Sequence, residues 1–138
     1  MADAATNKAA LKHAYARWHE SRGGAVEELL QSFADEVRFG SLADGAAPVA
    51  FTALAVGKNQ LRGYFEGLLA GWSMIHYTVD TMIAEGDRVA VVGSTGWTNK
   101  ITGKTVETPK VDIWRFKDGL AVEFYEYYDT AKMYAATM

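Results

Sequence analysis

An α+β fold is what the 138-residue sequence predicts, and three observations carry the prediction. Apolar residues recur at helical spacing near the start and again around residues 61–69, while the second half alternates at strand spacing. Three glycine-centred clusters then cut that second half into segments of similar length. Helices written before strands, and not alternating with them, argue for helices packed on one face of a curved antiparallel sheet. The length suits a single domain spanning 1–138. A chain of this size buries about two-thirds of its unfolded surface, so it needs neither disulfide nor metal to fold.

The elements follow in order. Leu11, Tyr15, Trp18 and His19 lie near one helical face over 7–21, with Lys8, Lys12, Arg17 and Glu20 elsewhere, and Gly23-Gly24 ends that helix. Val26, Leu29, Leu30 and Phe33 predict a second helix over about 25–33, and a short strand follows at 37–41. The stretch 42–56 reads as irregular. Gly57-Lys58-Asn59 opens a third helix with Leu61, Tyr64, Phe65, Leu68 and Leu69 on its face. Strands are expected at 73–84, 88–98, 105–116 and 120–128, joined by Glu85-Gly86-Asp87, Thr102-Gly103-Lys104 and Lys117-Asp118-Gly119. Asp129 is placed to cap a last helix at 130–136.

Composition narrows the function classes. The absence of cysteine removes thiol nucleophiles, thiolate metal sites and disulfides together. A net charge of −3 without a basic cluster argues against a nucleic-acid partner, because phosphate binding needs concentrated Lys and Arg. The N-terminal residues lack an apolar signal core, which makes cytoplasmic residence the expectation. The most apolar stretch, 45–57, contains Pro48 and is too short to span a bilayer, so no membrane partner is expected. The three histidines are scattered without ligand spacing, and no glycine-rich phosphate loop follows a strand. Neither a metal nor a cofactor is therefore expected. Aromatic residues make up 12% of the chain, enough to suggest a lined pocket.

The chemistry concentrates near the C-terminus. Val111-Asp112-Ile113-Trp114-Arg115-Phe116 and Phe124-Tyr125-Glu126-Tyr127-Tyr128 each write an acid into a segment rich in strand formers. An acid on an apolar face costs roughly several kcal/mol unless it is paired or protonated. Alternation places Lys110, Asp112, Trp114 and Phe116 on one face, and Phe124, Glu126 and Tyr128 on the matching face of the next strand. The tight turn between them makes Asp112 and Glu126 cross-strand neighbours or sets them one diagonal step apart. Two close carboxylates in apolar surroundings disfavour double ionisation, which leaves a proton donor beside a base. Such a pair suits chemistry next to a carbonyl.

The order of elements resembles the cone-shaped, cystatin-like fold shared by nuclear transport factor 2, ketosteroid isomerase, limonene-epoxide hydrolase and SnoaL-type polyketide cyclases. The resemblance runs through Phe33-Ala34-Asp35-Glu36-Val37, Gly57, the Phe116-Lys117-Asp118-Gly119 turn and Tyr127-Tyr128-Asp129, and it covers nearly the whole chain. It implies a single SnoaL-like domain with three N-terminal helices enclosing a pocket. Asp112 is similar in position to the protonated aspartic acid of the ketosteroid isomerase oxyanion hole. That family's general base falls on Ser41, and its helix-one tyrosine on Trp18, so its complete set is absent. Glu126 and Asp129 are similar in spacing to the late-strand acids of limonene-epoxide hydrolases, and SnoaL-type cyclases also use an acid in this region. The Arg and Asp that the hydrolases add on a neighbouring strand are missing from Val92-Gly93-Ser94-Thr95-Gly96.

Plainer roles stand beside these. Lys110 can neutralise Asp112 or Glu126 in a structural ion pair, Asp129 can serve only as a cap, and Asp35-Glu36 reads as a solvated helix exit. His19 reads as packed and His13 as exposed, whereas His76 sits on a strand from which the pocket is within reach.

Two functions follow as expectations. The first is a cofactor-independent isomerase, cyclase or dehydratase acting on a small apolar carbonyl or hydroxy compound. Asp112 would donate to the developing oxyanion and Glu126 would be the base. Tyr15, Trp18, Phe39 and Ser41, with Tyr64, His76, Trp114 and Tyr128, would meet the ligand. The second is a non-catalytic ligand-binding or dimerisation module. Outward Val111, Ile113, Tyr125 and Tyr127 form an apolar stripe suited to a homodimer through the outer sheet face, compatible with either function.

Overall fold

The computed structural model describes residues 3–138. Its first helix, α1 (Ala4–Glu20), begins three residues earlier than the apolar spacing indicates, because the Asp3 side chain accepts the Thr6 backbone N–H at 2.8 Å. Asn7, Leu11, Tyr15 and Trp18 form its buried stripe. Gly23, at φ 83°, then turns the chain in the left-handed region.

The second helix is shorter than its spacing predicts. α2 ends at Leu30 (Val26–Leu30), and Phe33 opens β1 (Phe33–Ser41). Pairing decides this: Phe33 lies opposite Ala121, and the Ala121 N–H bonds to the Ser32 carbonyl at 2.8 Å. Phe33 and Val37 are both buried, so sheet packing overrides a three-residue apolar repeat too short to be decisive. The 42–56 segment contains a 3-10 turn, Ala50–Thr52, and a two-residue strand, β2 (Ala55–Val56). Gly57 enters α3 (Lys58–Gly71), which buries Leu61, Tyr64 and Phe65.

The remaining strands follow their expected positions closely: β3 (Trp72–Glu85), β4 (Arg88–Asn99), β5 (Thr105–Lys117) and β6 (Leu120–Tyr128). α4 (Thr130–Ala136) closes the chain, and Asp129 accepts the Lys132 N–H at 3.0 Å as its cap. The sheet is open, in the order β2-β1-β6-β5-β4-β3. It departs from the expected antiparallel pattern at one place, where β1 joins β6 in parallel. α1 packs over β3, and α3 packs over β1 and β2. Aromatic side chains fill the space between helices and sheet, with Phe33 stacked on Trp114 and Phe39 stacked on Phe124. No helix among the described residues is long and apolar enough to cross a membrane.

Candidate active site

Asp112 on β5 and Glu126 on β6 lie directly opposite each other, on the face that the helices cover. Both are buried, at 2% and 5% exposure. Lys110, two residues before Asp112 on the same face, puts its ammonium between them, 2.7 Å from Asp112 Oδ1 and 3.0 Å from Glu126 Oε1. Strand alternation brings all three groups together, since a period of two sends Lys110 and Asp112 inward side by side.

Phenols complete the cluster. Tyr15 from α1 and Tyr77 from β3 both donate to Asp112 Oδ2, at 2.6 and 2.7 Å. Tyr64 from α3 donates to Glu126 Oε2 at 2.6 Å. Lys110 also donates to the Tyr77 hydroxyl, and the Trp114 indole N–H donates to the Tyr15 hydroxyl at 2.8 Å. No buried side-chain polar atom among the described residues lacks a partner. Burial would lower the Lys110 pKa, but Asp112 and then Glu126 outweigh it and hold the ammonium above its ordinary range. Burial first, and the neighbouring carboxylates second, push Tyr15, Tyr64 and Tyr77 well above the usual phenol value. At neutral pH the phenols are proton donors that resist ionisation.

This arrangement changes the role expected of Asp112. All its partners are donors: two phenols and an ammonium. Three donors suit a carboxylate and leave an un-ionised acid no reason to aim a proton at a ligand. The plain reading of Lys110 as the neutralising cation describes the geometry, with the addition that one cation serves both acids. The helix-one phenol is supplied by Tyr15, one turn before the Trp18 that the resemblance put in that place.

The cluster forms one wall of a cavity of about 110 Å³. The other walls are largely apolar, and all four tryptophans of the chain line it: Trp18, Trp72, Trp97 and Trp114. Of the expected ligand contacts, Tyr15, Trp18, Phe39 and Tyr64 line the cavity, as do Trp114 and Tyr128. Ser41 does not. It is buried beside the cavity with its hydroxyl 2.6 Å from that of Tyr128, which it holds in place.

His76 is also misplaced by the sequence reading, and the cause is visible. The β3–β4 register shifts between Met74 and His76, making Ile75 an extra residue in β3. The bulge resets the alternation, turning His76 to the outer face and Tyr77 inward. His76 Nε2 there meets Glu107 at 2.7 Å, and Nδ1 meets Thr78 at 2.9 Å. Tyr77 is the site residue that the sequence reading missed, because uninterrupted alternation from Met74 assigns its place to His76. Asp129 spends its carboxylate on the α4 cap and does not line the cavity. Among the described residues, no three His, Asp or Glu side chains converge as ligands for a metal.

Residues 11–124 match the family described as a SnoaL-like domain. Among solved structures, an NTF2-like protein of unknown function from Burkholderia pseudomallei shares 24% identity, with a TM-score of 0.79 over 95% of this chain and 96% of the other. A hypothetical protein from Catenulispora acidiphila with a ketosteroid isomerase-like fold, in complex with trimethylamine, shares 18% identity. Its TM-score is 0.73 over 89% of this chain and 90% of the other. A protein from Jannaschia sp. CCS1, named with the SnoaL-like polyketide cyclases, shares 16% at TM-score 0.73 over 96% of this chain and 91% of the other. Identities this low carry the fold and no more. No curated protein sequence matches the chain.

Proposed function

We propose that this chain, which belongs to the SnoaL-like domain family, performs cofactor-independent acid/base chemistry on a small, mostly apolar hydroxy compound, with Glu126 as the base. One observation carries the reading: which hydrogen-bonding capacity the site leaves open. The Lys110 ammonium donates to Tyr77 and Asp112 and is ion-paired with Glu126 at 3.0 Å. The hydroxyl hydrogens of Tyr15, Tyr64 and Tyr77 all go to the two carboxylates. A carboxylate offers about four acceptor positions. Asp112 accepts three hydrogen bonds and Glu126 one beside its Lys110 ion pair, so the larger free capacity lies on Glu126. A ligand that brings a hydroxyl fits this site better than one that brings only a carbonyl.

The step that follows is simple. Glu126 accepts a proton from the hydroxyl, or from a carbon beside a carbonyl of the same ligand, and the oxyanion left on the ligand lies next to the Lys110 ammonium. Glu126 then returns the proton to a different atom of the same ligand, or to a departing oxygen. Isomerisation, cyclisation and dehydration share this sequence and differ in where the proton lands. Asp112 acts through Tyr15, Tyr77 and Lys110, fixing their orientation.

The test is exchange with solvent. Small hydroxy-carbonyl compounds incubated in D2O should take up deuterium at the carbon beside the carbonyl, read by proton NMR. Glu126→Gln should cut the rate by about 100-fold or more, the usual contribution of a placed general base. Equal exchange by Glu126→Gln and the parent protein would end this reading.

The Lys110 bridge supports a second reading, a binding module in which the three charges are structural. On that reading no compound exchanges, and Glu126→Gln alters only stability. Either reading accommodates a homodimer through the outer face, where Tyr125 and Tyr127 are exposed with ring centroids 4.8 Å apart. Sedimentation of Tyr127→Lys against the parent chain checks that contact.

A further inference from the structure

We infer, resting on the acid/base reading, that the ligand is no larger than one six-membered ring bearing a hydroxyl, and that Phe51 sets this limit. Size comes first. An apolar engineered cavity of about 150 Å³ holds benzene, and the cavity here is about 110 Å³. One ring fills it, and a fused second ring has no room unless a wall moves.

The wall that stands in the way is the 3-10 turn. Most lining residues are buried, but Phe51 is half-buried, as are Leu29, Leu68 and Tyr128, which puts these four where the cavity meets solvent. The turn under Phe51 is tied down: the Thr52 hydroxyl donates to the Val49 carbonyl at 2.7 Å and accepts the Gly45 N–H at 2.9 Å. The Phe51 ring lies 5.6 Å from the ring of Tyr64, the phenol that bonds to Glu126.

Gly67 identifies the seat. α3 carries three glycines, each unfavourable to a helix. A Cβ on Gly63 or Gly71 would meet nothing within 4 Å, whereas one on Gly67 would collide with the Cβ of Phe51 and crowd its ring. Gly67 is the position where a missing side chain lets the turn lie down on the helix. Phe51 is thus held against α3 over the ring that positions the base.

The experiment is calorimetric titration of the full chain with phenol and with 2-naphthol. Apolar area alone would favour 2-naphthol. The inference expects the reverse, with phenol bound at least tenfold more tightly. Phe51→Ala should improve 2-naphthol binding at least tenfold and invert the order. Gly67→Ala should shift the order the same way with Phe51 still present, and its gain in helix propensity guards against simple loss of fold. The inference is overturned if the parent chain binds 2-naphthol as tightly as phenol, if it binds neither, or if both variants leave the ratio unchanged. Binding heat is read without turnover. Size selection without deuterium exchange would therefore end the acid/base reading alone, and exchange without size selection would end this inference alone.

Discussion

Replacing Lys110 by methionine keeps an unbranched chain of similar length and removes the one charge that serves both buried acids. Lys110 is 9% exposed and Asp112 2%, so water cannot take over the solvation of what remains. Removing one partner of a buried ion pair costs about 3–5 kcal/mol, because the other is left charged and unpaired. Here two carboxylates lose their cation, while Tyr15, Tyr77 and Tyr64 stay in place to bond them. We expect about 4 kcal/mol at pH 7. For a chain of this length, that lowers Tm by roughly 10–15 °C. The assay is urea unfolding followed by tryptophan fluorescence, which suits a protein whose four tryptophans all line the affected cavity. A loss below about 1 kcal/mol would refute the argument.

Alkaline pH tests the same cluster from the other side. Lys110, Tyr15, Tyr64 and Tyr77 hold their protons more tightly folded than unfolded, so their stabilisation is complete below about pH 10 and is lost as pH rises beyond it. Each group adds about 1.4 kcal/mol per pH unit to that decline, and absorbance at 295 nm should show these three phenols ionising only as the fold opens. All seven tyrosines titrating together in a folded protein would contradict it. Tyr15→Phe strands the Trp114 indole N–H and removes a donor from Asp112, for an expected loss of about 1–3 kcal/mol in the same urea assay. Asp129→Ala removes only the α4 cap, so it should cost about 1 kcal/mol and leave phenol binding unchanged in the calorimeter. A changed affinity would return Asp129 to the site.

The strand half of this protein was legible in the sequence because its turns are written in glycine and its strands are long. β3 to β6 lie within about two residues of their expected ends. Period-two alternation also told which side Lys110, Asp112 and Glu126 share, since it needs no knowledge of distant residues. The helical half was less secure. Phe33 fits a helix stripe by spacing, and only its parallel pairing with β6 makes it a strand residue.

What tertiary structure alone decided was pairing across the fold. A one-residue bulge in β3 exchanged His76 for Tyr77, and nothing in Met74-Ile75-His76-Tyr77 announces it. Tyr15 and Tyr64 are separated from the acids they bond by 97 and 62 residues, so no local pattern could match them. The sequence determined that two acids and a lysine would face an aromatic interior. Whether the acids would share a proton or a cation depended on which donors the helices and β3 delivered, because buried charge is set by neighbours within a few ångströms and not by neighbours in the chain.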